Sequence, residues 1–227
     1  LALAQAGADV AVTSRERSRA EPVAAEIRKM GRNAIALDLD VASLDSIEAM
    51  TQAALQHLGR IDILINNAGI NIPEEALEVT EEHWDRVLDT NLKGLLFCAQ
   101  CAGKVMLDQG SGKIVSIASQ MGLVGGKLRS AYCASKGGVV QLTKVLAIEW
   151  SKHGVNVNAV APTFLKTPFT APMFEDEAFH SQVVRNIPLG RIGKVDDVLG
   201  AIVFLASPAA DLITGHTLLV DGGWTAW

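Results

Sequence analysis

Ile61-Asp62-Ile63-Leu64-Ile65-Asn66-Asn67-Ala68-Gly69 is the stretch whose reading decides the fold. Ile61–Ile65 reads as one apolar strand, and amides and small residues follow it at once. A strand that is apolar along its length is covered on both faces, which is the habit of parallel sheets. Reading outward, further strands are expected at Asp9–Thr13, Asn33–Leu39, Lys113–Ile117, Asn156–Ala161 and Thr217–Val220. They alternate with helices expected at Arg19–Met30, Leu44–Leu58, Glu81–Gln109, Ala131–His153 and Asp196–Ala206. Ser43 and Thr80 are the expected N-caps of the second and third of these helices, and Gly31, Gly59 and Gly154 the expected stops. Residues 163–193 carry Pro168, Pro172 and Pro188 and are expected to form an irregular or short-helical insertion. The alternation predicts an α/β fold: one doubly wound, Rossmann-type domain over 1–227, with a parallel sheet. No linker, repeat or low-complexity tract divides it. Leu1-Ala2-Leu3-Ala4-Gln5-Ala6-Gly7 reads as the back half of a helix ending at Gly7, so a segment upstream is expected.

Composition narrows the function classes. With 227 residues, 49% hydrophobic and 20% charged, the chain can bury a large core. The net charge of -5, with no basic block, argues against nucleic acid or an anionic membrane as a partner. The longest nearly pure apolar stretch, Val198–Ala206, is too short to span a bilayer, and no signal peptide is visible. Three cysteines are too few for a disulfide scaffold, so a reducing cytoplasm is the expected location. Cys98-Ala99-Gln100-Cys101 has the form C-x-x-C but sits in an apolar helix with no second pair. None of the histidines at 57, 83, 153, 180 and 216 forms an H-E-x-x-H. Two core cysteines and no metal site are expected.

In doubly wound sheets ligands sit beyond the carboxyl ends of the strands. Thr13-Ser14-Arg15 follows the first visible strand. An acid there would hold a ribose 2′-hydroxyl and repel a 2′-phosphate. Two hydroxyls and an arginine suit a phosphate instead, or Arg15 is a solvated loop residue. Asp40 follows the next strand, either accepting from an adenine amino group or starting the turn before the helix. Asn67-Ala68-Gly69 allows close approach of a ligand, and also makes an ordinary turn. Ser119 follows Lys113–Ile117, and Tyr132 and Lys136 lie beyond it at i, i+4 on one helix face. A phenol titrates near pH 10, and a neighbouring ammonium would lower that value. A serine holding a substrate oxygen beside such a phenol could move a proton on and off an alcohol or carbonyl.

Several runs then match one family in the right order. They are Asn66-Asn67-Ala68-Gly69, Asn91-Leu92-Lys93-Gly94, Ser119, Tyr132-Cys133-Ala134-Ser135-Lys136, Asn156-Val157-Asn158-Ala159-Val160-Ala161-Pro162 and Val220-Asp221-Gly222-Gly223. Over essentially its whole length the chain resembles the short-chain dehydrogenase/reductase family. The resemblance implies an enzyme that interconverts a secondary alcohol and a ketone with NADP, or alternatively NAD. It implies that Tyr132 is the general acid/base and that Ser119 orients the substrate oxygen. Lys136 would contact the nicotinamide ribose and lower the tyrosine's pKa, while Asn91 would hold a water in a proton relay to Lys136. Asp40 and Val41 would meet adenine, Asn67, Ala68 and Gly69 the adenosine side, and Leu165 and Thr167 the carboxamide and phosphates. Ser14 and Arg15 would bind the 2′-phosphate.

Two departures stand out. The family's first strand and its T-G-x-x-x-G-x-G loop have no counterpart in this chain. Thr163 stands where the family usually has glycine after Pro162, and is expected to stiffen or redirect the loop beside the nicotinamide. The insertion 163–193 is expected to be the substrate lid. Its Phe164, Phe169, Met173, Phe174 and Phe179 either face the substrate or simply pack on the core. Asp221-Gly222-Gly223-Trp224 and Glu149-Trp150-Ser151-Lys152-His153 resemble members acting on sugar acids and polyols, such as gluconate dehydrogenases. Oxoacyl-thioester reductases are the near rival. A non-catalytic homologue with a binding or regulatory role is the alternative from another class. The family's habit of pairing two long helices across subunits implies a homotetramer, or a homodimer. Val139, Val140, Leu142, Thr143, Leu146, Ala147 and Trp150 cover more than one face of the second long helix, which fits such pairing. Trp224 and Trp227 are either core or contacts with a neighbour.

Overall fold

Strands whose sequences leave no polar face pair only in parallel here, as burial on both sides requires. The computed structural model describes residues 1–167 and 170–226. Pro168 and Phe169 of the expected insertion, and Trp227, lie outside the described residues. In chain order the strands are β1 (Val10–Ser14), β2 (Ala34–Asp38), β3 (Ile63–Asn66), β4 (Gly112–Ile117), β5 (Val155–Pro162), β6 (Leu165–Lys166), β7 (Gly193–Lys194) and β8 (Thr217–Val220). The helices are α1 (Ala2–Gln5), α2 (Arg17–Lys29), α3 (Leu44–Leu58), α4 (Glu81–Leu88), α5 (Gly94–Gln109), α6 (Ser130–Trp150), α7 (Glu177–Arg185) and α8 (Asp196–Ala206).

The sheet is in two parts, β1-β2 and β3-β4-β5-β8. The break falls between β1 and β3. In the common doubly wound order those two flank the first strand, the one with no counterpart in this chain. Helix α1 ties the parts together. Leu3 packs on the cluster around Val115, Val160 and Leu205, while Ala4 is buried with Ala20, Ala24 and Ile27. On the other face, α5 and α6 cover β4 and β5 through Ala99, Met106, Ile114, Leu146 and Val157.

Local signals set most element ends. Ser43 Oγ accepts from the Ser46 amide and Thr80 Oγ1 from the His83 amide, so both expected caps are formed. The expected single helix Glu81–Gln109 is divided. A π-helical segment at Asp89–Lys93 separates α4 from α5. One widened turn turns Asn91 fully inward, and such π segments gather at functional sites. The expected helix Ala131–His153 ends its α-helical part at Trp150 and closes with a 3-10 turn over Ser151–His153.

The insertion 163–193 has short elements of its own. β6 pairs with β7, and between them lie a 3-10 turn at Ala171–Glu175 and α7, capped by Asp176. Its aromatic residues pack on one another and on the C-terminal turn. Phe164 lies 6.3 Å from Phe174, 5.8 Å from Phe179 and 5.7 Å from Trp224, between ring centroids.

Candidate active site

The carboxyl ends of β1 to β5 place Ser14, Asp38, Asn66, Ile117 and Pro162 along one edge. Ser119 lies just past β4. It begins a 3-10 turn, with its hydroxyl accepting from the Met121 amide at 3.2 Å. Tyr132 sits in the first turn of α6, and Lys136 one turn on, with Nζ 5.8 Å from the phenol ring centroid. Lys136 is 4% exposed and donates to the Ile117 carbonyl at 2.6 Å, so the β4 end and α6 are joined through it.

Asn91 is wholly buried. Its carboxamide accepts from the Ile70 amide at 2.7 Å and donates to the Ile70 carbonyl at 2.8 Å and to Ser135 Oγ at 3.1 Å. Ser135 Oγ in turn donates to the Tyr132 carbonyl at 2.8 Å. A chain of bonds thus runs from the loop after β3, through the π segment, to the backbone of Tyr132. Gly69 lies at the centre. A Cβ there would meet Asn91 Oδ1 at 3.4 Å and Lys136 Nζ at 3.6 Å. The missing side chain leaves a cradle between the two polar groups.

Burial dominates the electrostatics. It pulls Lys136 from 10.5 down to about 8. It also raises Tyr132 above the ordinary phenol value, and the Ser119 hydroxyl and the Arg129 guanidinium offset part of that rise. The Arg129 guanidinium acts on the phenol from the start of α6, while the Lys136 ammonium lies over the Tyr132 ring and donates to the Ile117 carbonyl. Sequence reading missed Arg129 and Ser135. A signal was present in both cases, since Arg129 is one turn before Tyr132 and Ser135 one turn after it.

The residues expected on the dinucleotide side lie as follows. Ser14 ends β1 and exposed Arg15 follows it, and no ion-pair partner of Arg15 is found among the described residues. Asp40 Oδ1 accepts from the Ala42 amide at 3.0 Å, so its turn-forming role is real. Val41 and Ala68 line one small cleft with Asn66 and Thr90. Asn67, Ala68 and Gly69 are exposed above it. These small, open residues and the Gly69 cradle fit a nicotinamide dinucleotide laid along the strand ends. Leu165 is half-buried in β6. Thr167 is occupied with Thr170, whose amide donates to its Oγ1 at 3.2 Å. The Thr163 amide donates to the Val220 carbonyl at 3.2 Å, extending the β5–β8 ladder as a glycine amide would, while its buried hydroxyl has no hydrogen-bond partner among the described residues.

Cys98 and Cys101 are free thiols on α5. Burial, with Cys101 beside it, pushes Cys98 up to about 12, which leaves it inert. Among the described residues no three His, Cys, Asp or Glu side chains cluster as metal ligands. No described helix is long and apolar enough to cross a membrane.

A doubly wound parallel fold with a serine, a tyrosine and a buried lysine joined across β4 and α6 defines a class. The chain belongs to the short-chain dehydrogenase/reductase family, and with it to the NAD(P)-dependent oxidoreductases. The matching family profile, described as Enoyl-(Acyl carrier protein) reductase, covers residues 1–225. Among curated relatives, the 2-dehydro-3-deoxy-D-gluconate 5-dehydrogenase of Escherichia coli is 42% identical over 229 residues, covering 100% of this chain and 89% of that protein. The 3-oxoacyl-(acyl-carrier-protein) reductase FabG of Staphylococcus aureus is 39% identical over 224 residues, covering 98% of this chain and 90% of that one. Among solved structures, the gluconate 5-dehydrogenase of Burkholderia cenocepacia, in complex with NADP and tartrate, superposes with a TM-score of 0.96. It is 34% identical and covers 100% of this chain and 89% of that chain.

Proposed function

We propose that the chain interconverts a secondary alcohol and a ketone on a sugar acid, using NADP(H). The observation that carries this reading is the meeting of Asn91 and Lys136 across Gly69, one turn from Tyr132. Tyr132 gives or takes the proton of the substrate oxygen, and Ser119 orients that oxygen. Lys136 passes the proton on through a water that Asn91 would hold. A lysine near pH 8 is poised to exchange a proton at working pH. When bound, the cofactor accepts or donates hydride at the substrate carbon. Ser14 and Arg15 would hold its 2′-phosphate, Asp40 and Val41 its adenine, Asn67 to Gly69 its adenosine side, and Leu165 and Thr167 its nicotinamide end. The relatives named for gluconate derivatives support a sugar acid, and the reductase FabG keeps an oxoacyl thioester as the nearest rival.

The segment 163–193 serves as the substrate lid of a single domain, its aromatic cluster anchored on Trp224. The protein works in the cytoplasm as a homotetramer, or as a homodimer. The apolar groove between α4, α5 and α6 supports such assembly. It has a volume of about 470 Å3 and is lined by Leu88, Leu92, Leu96, Leu142 and Val145. Of the residues expected on the second long helix, Leu142 lines this groove. Val139, Val140, Thr143, Leu146 and Ala147 are buried within the subunit, while Val145 and Ile148 are exposed.

The experiment is to follow NADPH and NADH oxidation by the full-length protein with keto-sugar acids and with acetoacetyl thioesters. Turnover of a keto-sugar acid with NADPH is expected. Turnover of the thioester alone would overturn the substrate assignment, and no turnover with any ketone would overturn the enzyme reading.

A further inference from the structure

Arg129 has a surrounding that its fold role does not explain. It occupies the N-cap position of α6, three residues before Tyr132, and its guanidinium lies 5.6 Å from the ring centroid of Phe164 in the lid segment. The residue is half-buried, and burial pulls its pKa below the ordinary arginine value. A buried charge normally has an ionic partner. Among the described residues no carboxylate lies within ion-pair distance of Arg129, nor does any contribute to its electrostatics. Glu74, bridged to Arg129 through the backbone, is committed elsewhere: its carboxylate turns to His83 Nδ1 at 2.9 Å.

The backbone holds this geometry under strain. Leu128 has φ +60°, the only positive φ at a non-glycine residue among those described. Such outliers persist where the surroundings over-determine them, and they cluster at ligand clamps. Helix α6 also starts without a side-chain cap and with no acid in its first turn, so its positive end favours an anion. A planar cation, a helix N-terminus and the proposed acid/base tyrosine thus converge beneath the lid.

We infer that Arg129 is the anchor for a carboxylate on the substrate, placing the reacting carbinol of a hydroxy acid against Tyr132. This rests on the proposed function above and sharpens it: the substrate carries a negative charge at its end. The fork of an arginine binds a carboxylate bidentately, whereas a lysine offers only a point charge.

The test compares wild type with Arg129→Gln and Arg129→Lys, using D-gluconate and its neutral counterpart D-glucitol. Removing the charge also acts on Tyr132 and so affects both compounds. The readout is therefore the ratio of kcat/KM for gluconate to that for glucitol. Loss of charge-assisted bonds should lower the ratio about 10- to 100-fold in R129Q, with R129K in between. A ratio changed less than about threefold would overturn the inference. If R129Q fails to fold by circular dichroism, R129K carries the same comparison. If neither alcohol is turned over, the proposed substrate fails but the anchor is still tested by calorimetric titration of gluconate. Binding by wild type that weakens at least about tenfold in the variant supports the anchor, and absent or equal binding overturns it.

Discussion

Gly94 offers a perturbation whose sign can be worked out from the structure. It opens α5 and is buried against the loop that carries Asp40 and Val41. In a free helix, alanine is favoured over glycine by about 1 kcal/mol. Here an alanine Cβ would lie 2.9 Å from both the carbonyl carbon and Cβ of Val41, and closer still to the Val41 carbonyl oxygen. Ordinary carbon contact begins at about 3.5 Å, so the interface must open by about 0.6 Å or more. Because the obstacle is backbone, no rotamer relieves it, and overpacking of this kind costs about 1–3 kcal/mol. The clash should match or outweigh the propensity gain, leaving Gly94→Ala up to about 2 kcal/mol less stable. Gly200 is the control. It lies in α8, where an added Cβ would have nothing within 4 Å, so Gly200→Ala should be more stable by about 0.4–1 kcal/mol. Urea unfolding measures both. The shift of Val41 should also weaken NADPH binding in G94A, read by fluorescence titration. A G94A protein as stable as G200A would refute the claim that α5 is pressed onto the Val41 loop.

Lys136 makes stability depend on pH. Its folded pKa of about 8 lies below the 10.5 of the free side chain. The folded chain therefore loses this proton first, and a penalty present below pH 8 fades as pH rises to 10.5. From about pH 7 to about pH 11, wild type should gain up to about 3 kcal/mol relative to Lys136→Met, at about 1.36 kcal/mol for each pKa unit. A constant difference in urea unfolding would contradict this. Arg15→Ala should weaken NADPH about 10- to 100-fold and barely change NADH, and equal effects in titrations would make Arg15 a plain surface residue. Light scattering on the full-length protein at micromolar concentration should give a tetramer, or a dimer as second choice, whereas a monomer would refute assembly through the face of Val145 and Ile148.

What the sequence made legible is what is determined locally. The apolar strand Ile63–Asn66, the Ser43 and Thr80 caps and the i, i+4 placement of Tyr132 and Lys136 depend on near neighbours. The rest arises from distant contacts. The π segment exists where Asn91 reaches Ile70 and Ser135, and neither partner is near it in sequence. The direction of the Tyr132 pKa shift needed burial and the position of Arg129, and the Lys136 ammonium could not be known to point at Ile117. Which face of α6 the sheet covers was not legible, because apolar residues on one helix do not reveal which stripe will be buried. Val145 and Ile148 look in sequence like their buried neighbours Val139 and Leu146.

Everything proposed for the chemistry turns on Tyr132 moving the proton. Tyr132→Phe removes the hydroxyl and keeps the ring, so the most direct measurement is kcat of this variant in the full-length protein with NADPH and a keto-sugar acid. A loss of at least about 10²-fold, with an unchanged circular dichroism spectrum, is the predicted result. Near-normal turnover by the folded variant would contradict it.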